Sequence, residues 1–479
     1  MSKTLAKNLS LYTFGQFLSQ ALAFLLLPIY IKELSTEDYG IVASLMAFGT
    51  FTNALMQYGF SPTVMRYYYD YKDDPEKFKS FLSALLLFML ASNLIVASGI
   101  IFFDKYIFGF LTPDINISLY IYFVVGYSFV FTFPLLNFSI FRVEGKAKKF
   151  FLFNLVQFLI SFATIYFFLV ILKEGALGKI KGEFWARVPL FIISFYLYKK
   201  YFTFRGIQAS YLKKALNFGI PLMLQAMLWW GLYRLDYFLI AREMGNESLG
   251  LYNVAFQLSF VLITIGISFS LGWTPHFFSI AKEEDTPRMY GNMMGNYFML
   301  ITIISIGIYF FSYYVLLFLG GDKYLGVYDF LQWLLIGALF QSSYFLIHQT
   351  IQYSKKTWSI PMVLGIGILI GFAIEYVVIK SHGLLGISIV KALIFLLVFV
   401  ATFIVGQKHY RIKIPRNKIY ISILILTINF VLGNYLDYSA KSLFIKLIVL
   451  SLSVVSLWYV LPFFNKAEKE LIKSKIKFL

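Results

Sequence analysis

Six ionisable residues lie inside stretches otherwise apolar enough to sit in lipid: Arg187, Arg234, Asp236, Glu375, Lys391 and Lys446, with Glu183 at the edge of one stretch. An ionised side chain in hydrocarbon is costly, so such residues mark binding sites or ion pathways unless a neighbour neutralises them. The cations suit a phosphorylated ligand, and arginine suits it best, because its planar fork matches phosphate oxygens bidentately and stays charged. Arg234 and Asp236 stand two residues apart, on different faces of a helix, so they cannot simply cancel each other. Arg187 follows Glu183 by four, a spacing that favours an ion pair along one face. Lys446, near the start of its stretch, is expected to snorkel to the interface. Lys391 lies deeper, has no acid near it on its own helix, and is expected to point inward.

Arg66, Arg187, Arg234 and Lys391 are therefore the candidates for holding an anionic head group. Asp236 and Glu375 are the only acids well inside apolar stretches, which makes them the candidates for exchanging a proton or a sodium ion. Glu375 closes a file with Gly367 and Gly371 at intervals of four, a spacing that lets helices approach closely. Arg66 after Pro62 and His276 after Pro275 end two stretches alike, either as ordinary interfacial groups or as a gate that receives a head group. Neutral polar residues form stripes: Gln16 and Gln20, Asn53 and Gln57, Asn154 with Gln157 and Ser161, and Asn253 with Gln257. Each set shares a helix face, as the wall of a cavity for a hydroxyl-rich ligand requires. The plainer reading is interhelical hydrogen bonding, worth about 1 kcal/mol per bond in a membrane.

About fourteen apolar stretches of bilayer-crossing length carry these residues, with only short connections between them. Spans are expected near 9–31, 40–60, 81–103, 117–140, 150–172, 183–198 and 217–241, then 250–272, 292–318, 329–350, 359–380, 384–406, 419–437 and 442–464. The expected fold is an all-α polytopic membrane protein, and a composition of 59% hydrophobic and 14% charged residues agrees with it. No cysteine occurs, which excludes disulfides and thiolate metal sites, and the four histidines are too scattered to suggest a metal centre. The patterns HExxH and GxSxG and the phosphate-binding GxxxxGK loop are missing, so no enzyme, no cofactor and no ATP-binding motif is expected. Energy would come from a proton or sodium gradient, the membrane potential or the substrate's own gradient.

The formal net charge of +18 follows from loop placement rather than from a nucleic-acid partner. About 29 of the 42 Lys and Arg fall on one side if both termini are cytoplasmic, the usual bias of inward loops, which also meet anionic lipids. The strongest clusters are Arg142 with Lys146, Lys148 and Lys149; Lys199, Lys200, Arg205, Lys213 and Lys214; Lys408 to Lys418; and Lys466 to Lys477.

An internal repeat orders the stretches. Glu37-Asp38-Tyr39-Gly40-Ile41 matches Glu247-Ser248-Leu249-Gly250-Leu251, Lys148-Lys149 matches Lys355-Lys356, and Gly175-Ala176-Leu177-Gly178 matches Gly383-Leu384-Leu385-Gly386. The nearly equal shifts predict two six-helix lobes of like orientation, residues 1–200 and 201–407, followed by a helix pair and basic tail over 408–479. Two such lobes enclose a cleft that can open to either side in turn.

Three runs carry a family resemblance. The opening, Phe14-Gly15-Gln16, Leu25-Leu26-Leu27-Pro28-Ile29-Tyr30 and Leu34-Ser35-Thr36-Glu37-Asp38-Tyr39-Gly40, resembles the start of the polysaccharide-biosynthesis flippases, Wzx-type members of the multidrug/oligosaccharidyl-lipid/polysaccharide exporter superfamily. Gly219-Ile220-Pro221, Asp236-Tyr237-Phe238-Leu239-Ile240 and Leu249-Gly250-Leu251-Tyr252 are similar to the family's middle. The resemblance implies two six-helix lobes and export of undecaprenyl-pyrophosphate-linked oligosaccharides, for O-antigen, capsule or a related glycan, across a bacterial inner membrane. It also implies a monomer among membrane lipids, working beside a polysaccharide polymerase and chain-length machinery. A lipid II flippase, a cation-coupled drug antiporter and, from another class, a polytopic polymerase or glycosyltransferase stay open as alternatives.

Overall fold

A computed structural model of the chain describes residues 22, 25–111, 118–354, 358–436 and 440–460. Among these residues there is no strand. The helices are α1 (25–33), α2 (Thr36–Met56), α3 (Phe60–Tyr71), α4 (Pro75–Phe102), α5 (Asp104–Leu111), α6 (Ser118–Val143), α7 (Ala147–Tyr166) and α8 (Gly175–Tyr198). There follow α9 (Ala209–Ile280), α10 (Thr286–Gly320), α11 (Leu331–Tyr353), α12 (Ser359–His409), α13 (Arg416–Tyr435) and α14 (Ala440–Val460). Nine helices among the described residues are long and apolar enough to cross a membrane. Two of them, α9 and α12, are helix pairs joined at Gly245 and Gly383. With α1, α8 and α14 they lie on the expected spans, and the chain is an all-α polytopic membrane protein.

Several ends differ from the expected ones. The second span starts four residues early, because Ser35 caps α2 by accepting from the Asp38 amide (3.0 Å), with Glu37 and Asp38 at the positive end of the helix dipole. It then breaks at Tyr58 and Gly59, both at positive φ, before α3. The sixth span starts eight residues early, at Gly175, which brings Lys179 and Glu183 into α8. An i→i+5 turn at Phe167–Ile171 ends the preceding helix.

The chain divides into two compact units, Met1–Asn253 and Val254–Leu479. The first unit runs past the expected 200/201 boundary because the early part of α9 packs along α2 and α3 for their whole length. Trp230 donates its indole N–H to the Ala47 carbonyl (2.8 Å) and lies against Phe51, while Tyr67 meets Phe218 edge-on. Gly219 and Gly59 cross with backbones almost touching: a Cβ on either would lie about 2 Å from a carbonyl oxygen of the other segment. That contact explains the glycine of Gly219-Ile220-Pro221. Elsewhere in this unit Asn53 donates to the Ser128 carbonyl (3.1 Å) and to Thr132, and Ser128 donates to the Gly49 carbonyl, fastening α2 to α6.

The repeat motifs become legible as geometry. Gly175 (φ 56°) and Gly383 (φ 53°) are both left-handed turn residues between two helices, and Gly178 and Gly386, three residues on, both pack where a Cβ would clash. Gly40 and Gly250 touch each other: a Cβ on Gly40 would strike the Asn246 carbonyl, and one on Gly250 the carbonyl of Thr36. Lys355 and Lys356 lie outside the described residues. In the second unit α11 and the later part of α12 are in close contact, with Gly337 against Ala392 and Gly406 against Thr350.

Candidate substrate-binding site

The densest buried charge in the first unit is on α8. Lys179, Glu183 and Arg187 succeed one another at intervals of four, and all are largely out of solvent. Lys179 Nζ lies 2.9 Å and Arg187 Nη2 3.4 Å from the Glu183 carboxylate, so one acid is shared by two cations and the triad carries a net positive charge. Arg187 Nη1 also donates to Ser161 on α7 (2.8 Å), and its guanidinium covers the Phe131 ring at 4.7 Å. Lys179 stands 5.5 Å from the Tyr30 ring. Arg187 Nε and Gln157 Oε1, one turn before Ser161, are buried polar atoms without a hydrogen-bond partner among the described residues. Such atoms are expensive to bury unless a ligand or water completes them. The Glu183–Arg187 pair expected from sequence is thus present, but Lys179 had been placed in a loop; only the earlier start of α8 reveals it.

A second cluster is on α9. Arg234 is half-buried, hydrogen-bonds the Tyr237 hydroxyl and stacks 4.7 Å from that ring, and Tyr237 donates to Asn253 Oδ1 (2.9 Å). Asp236, fully buried, accepts from the Tyr252 hydroxyl at 2.5 Å. As two helix faces allow, Arg234 hydrogen-bonds Tyr237 and Asp236 hydrogen-bonds Tyr252. Asp236 itself is 0% exposed, although Arg242 and Glu243, fewer than two turns further along α9, are exposed.

In the second unit Lys391 and Glu375 face each other across the α12 turn, with Nζ and Oε1 3.8 Å apart and both side chains 3% exposed. Each lies eight residues from Gly383, so an antiparallel hairpin aligns them. Lys391 does point inward as expected, but an acid from the neighbouring helix is its counter-ion, which sequence spacing along one helix could not show. The Gly367 and Gly371 file packs on Val398 and Ile394.

The remaining candidates are scattered. Arg66 is exposed and bridges Asp70 (2.5 Å), and His276 is exposed beside the Trp273 ring. Gln57 donates to Asn53, and Asn154 donates to the Phe150 carbonyl of its own helix. Gln257 is half-buried, and Gln16 and Gln20 lie outside the described residues. A polar seam in the second unit was not foreseen: Gln349 donates to Ser270 Oγ (2.7 Å), Tyr290 to the Leu346 carbonyl and Ser342 to the Leu262 carbonyl. Its residues recur at helical spacing along α11, the one signal that would have found them.

Helix pairs turning on glycines, with paired charges buried inside, make the chain a polytopic helical bundle. The chain belongs to the polysaccharide biosynthesis protein family, whose family model matches residues 5–281, more than half its length. It is 23% identical over 360 residues to Lsg locus putative protein 1 of Haemophilus influenzae, covering 73% of this chain and 85% of that one. Among solved structures it is similar to the lipid II flippase MurJ in an inward closed conformation, at TM-score 0.73 and 14% identity, over 94% of this chain and 98% of that one. It is also similar to the Vibrio cholerae MATE transporter VcmN, at TM-score 0.56 and 12% identity, over 85% and 96%. At such identities these two establish the shared fold and no more.

Proposed function

We propose that the chain is a flippase that carries undecaprenyl-pyrophosphate-linked oligosaccharide units from the cytoplasmic to the outer leaflet of a bacterial inner membrane by alternating access. Family membership supports the glycan cargo, and the fold shared with a lipid II flippase supports a polyprenyl-linked one. The observation that carries the reading is the buried triad Lys179–Glu183–Arg187 with its surplus positive charge and its one uncompleted donor, Arg187 Nε. A pyrophosphate would supply the acceptors that Arg187 Nε lacks and bring the second anion the triad needs. Arg234, which hydrogen-bonds the Tyr237 hydroxyl, is a second anchor for the head group; Lys391 has Glu375 and Arg66 has Asp70 beside it. Asp236 and Glu375 are the carboxylates through which a gradient could act, since a proton or sodium ion arriving there would loosen the Tyr252 or Lys391 contact.

The test is a flipping assay in proteoliposomes with defined pyrophosphate-linked glycans, including lipid II, with and without imposed proton or sodium gradients. The Lys179→Gln, Glu183→Gln, Arg187→Gln triple variant, which leaves no stranded charge, should move cargo at least about tenfold more slowly than the parent while eluting as the same folded species, because the charge-assisted contacts to the head group are lost. Unchanged flipping by that variant would dismiss the triad as the head-group site. Preference for lipid II over every longer glycan would reassign the cargo.

A further inference from the structure

At the end of α8 remote from Gly175, a pocket of about 390 Å³ opens between the last turn of α6, the first turn of α7 and the last turn of α8. Four lysines line it: Lys146, Lys149, Lys199 and Lys200. Lys146 is bound to Glu144 (2.6 Å), the acid at the pocket's edge, whose other oxygen accepts from the Tyr201 hydroxyl (2.7 Å). Burial, reinforced by Glu144, holds that hydroxyl above the usual tyrosine range, so it stays a donor. Glu144 is thereby committed, while Lys149, Lys199 and Lys200 are exposed and have no acid within bridging distance among the described residues. Asn137 also lines the pocket; it is 1% exposed, and its Nδ2 donates to nothing among the described residues. A buried amide donor without an acceptor, beside three ammonium groups that no described acid neutralises, one of them over the Tyr201 ring at 5.3 Å, is half of a phosphate site.

The rim decides which phosphate. Tyr196 on the pocket wall is 77% exposed, and Ile192, one turn earlier on the same face of α8, is 62% exposed, so an apolar, outward-facing strip borders the pocket. A soluble anion would gain nothing from that border, but a phosphodiester with acyl chains would use both parts at once. The size lies within the range of pockets that enclose small ligands. We infer that this pocket holds the head group of an anionic phospholipid, its phosphate between Asn137 and the three lysines and its chains along Ile192 and Tyr196. The inference is independent of the cargo.

The experiment uses the full chain in neutral detergent, with bound lipid counted by native mass spectrometry as phosphatidylglycerol or phosphatidylcholine is titrated in. Phosphatidylglycerol should be retained at least about tenfold better than phosphatidylcholine. The Lys149→Gln, Lys199→Gln, Lys200→Gln variant should lose at least about tenfold of that affinity, and the matching arginine variant should keep it, since charge near an anionic lipid is what counts. These side chains are exposed, so the replacements leave the core untouched. Asn137→Asp, which places an acid in the pocket, should weaken retention as well. Equal retention by the glutamine variant overturns the inference. So does displacement of phosphatidylglycerol by inorganic pyrophosphate alone, which would mean a free-anion site. Preferential capture of undecaprenyl pyrophosphate overturns it too, by making the pocket a cargo dock.

Discussion

Lys391 and Glu375 show how differently a charge reads alone and in place. Along the sequence they are sixteen residues apart; in the hairpin they are a buried pair. Removing one partner strands the other charge in a low-dielectric interior. Lys391→Met or Glu375→Gln alone should therefore destabilise the protein by about 3–5 kcal/mol, and the double replacement by much less. Unfolding in detergent followed by tryptophan fluorescence would reveal that non-additivity; additive losses would mean that the pair is not coupled. The opposite case is Arg187, whose partner Glu183 was visible four residues upstream. What stayed hidden was Lys179: a start at 183 cut it off from the helix, and only the left-handed turn at Gly175 shows that it belongs there. Asn53 and Gln57, a candidate cavity wall, hydrogen-bond toward α6 and each other. Amides at helical spacing look the same from sequence whichever helix or ligand they face.

The elements repeat a single device, a helix hairpin that turns on glycine. At Gly383, φ 53° and ψ −142° form a conformation that residues with a Cβ avoid. Gly383→Ala should cost about 1–3 kcal/mol from backbone strain alone and loosen the Lys391–Glu375 pair with it. Gly175→Ala should act the same way on Lys179 and Glu183, with a tight contact to the Asp38 carboxylate (3.3 Å) that a small shift of that side chain relieves. Thermal unfolding of each variant beside Gly99→Ala, a glycine with open space around it, isolates the effect of the turn. The order and number of helices were legible because apolar runs of bilayer length are unmistakable, and the repeat was legible because its glycines are conformational necessities. The kink at Tyr58–Gly59 was not, because the run of apolar residues continues through it.

At the scale of the whole molecule, charge distribution gives an orientation that labelling can check. The native chain has no cysteine, so a single introduced one reports unambiguously. Cysteines at Lys149 and Lys199 should react only with reagent reaching the cytoplasmic face, and one at Lys173 only with reagent outside, as the basic bias requires. The reverse pattern would invert the transport direction proposed above.

The contact between Gly40 and Gly250 is reciprocal in a further sense. Gly40 meets the carbonyl of Asn246 while Gly250 meets that of Thr36, and each of the four stands 210 positions from its counterpart. Neither glycine can therefore grow a side chain, and a substitution at either one would push the same two segments apart.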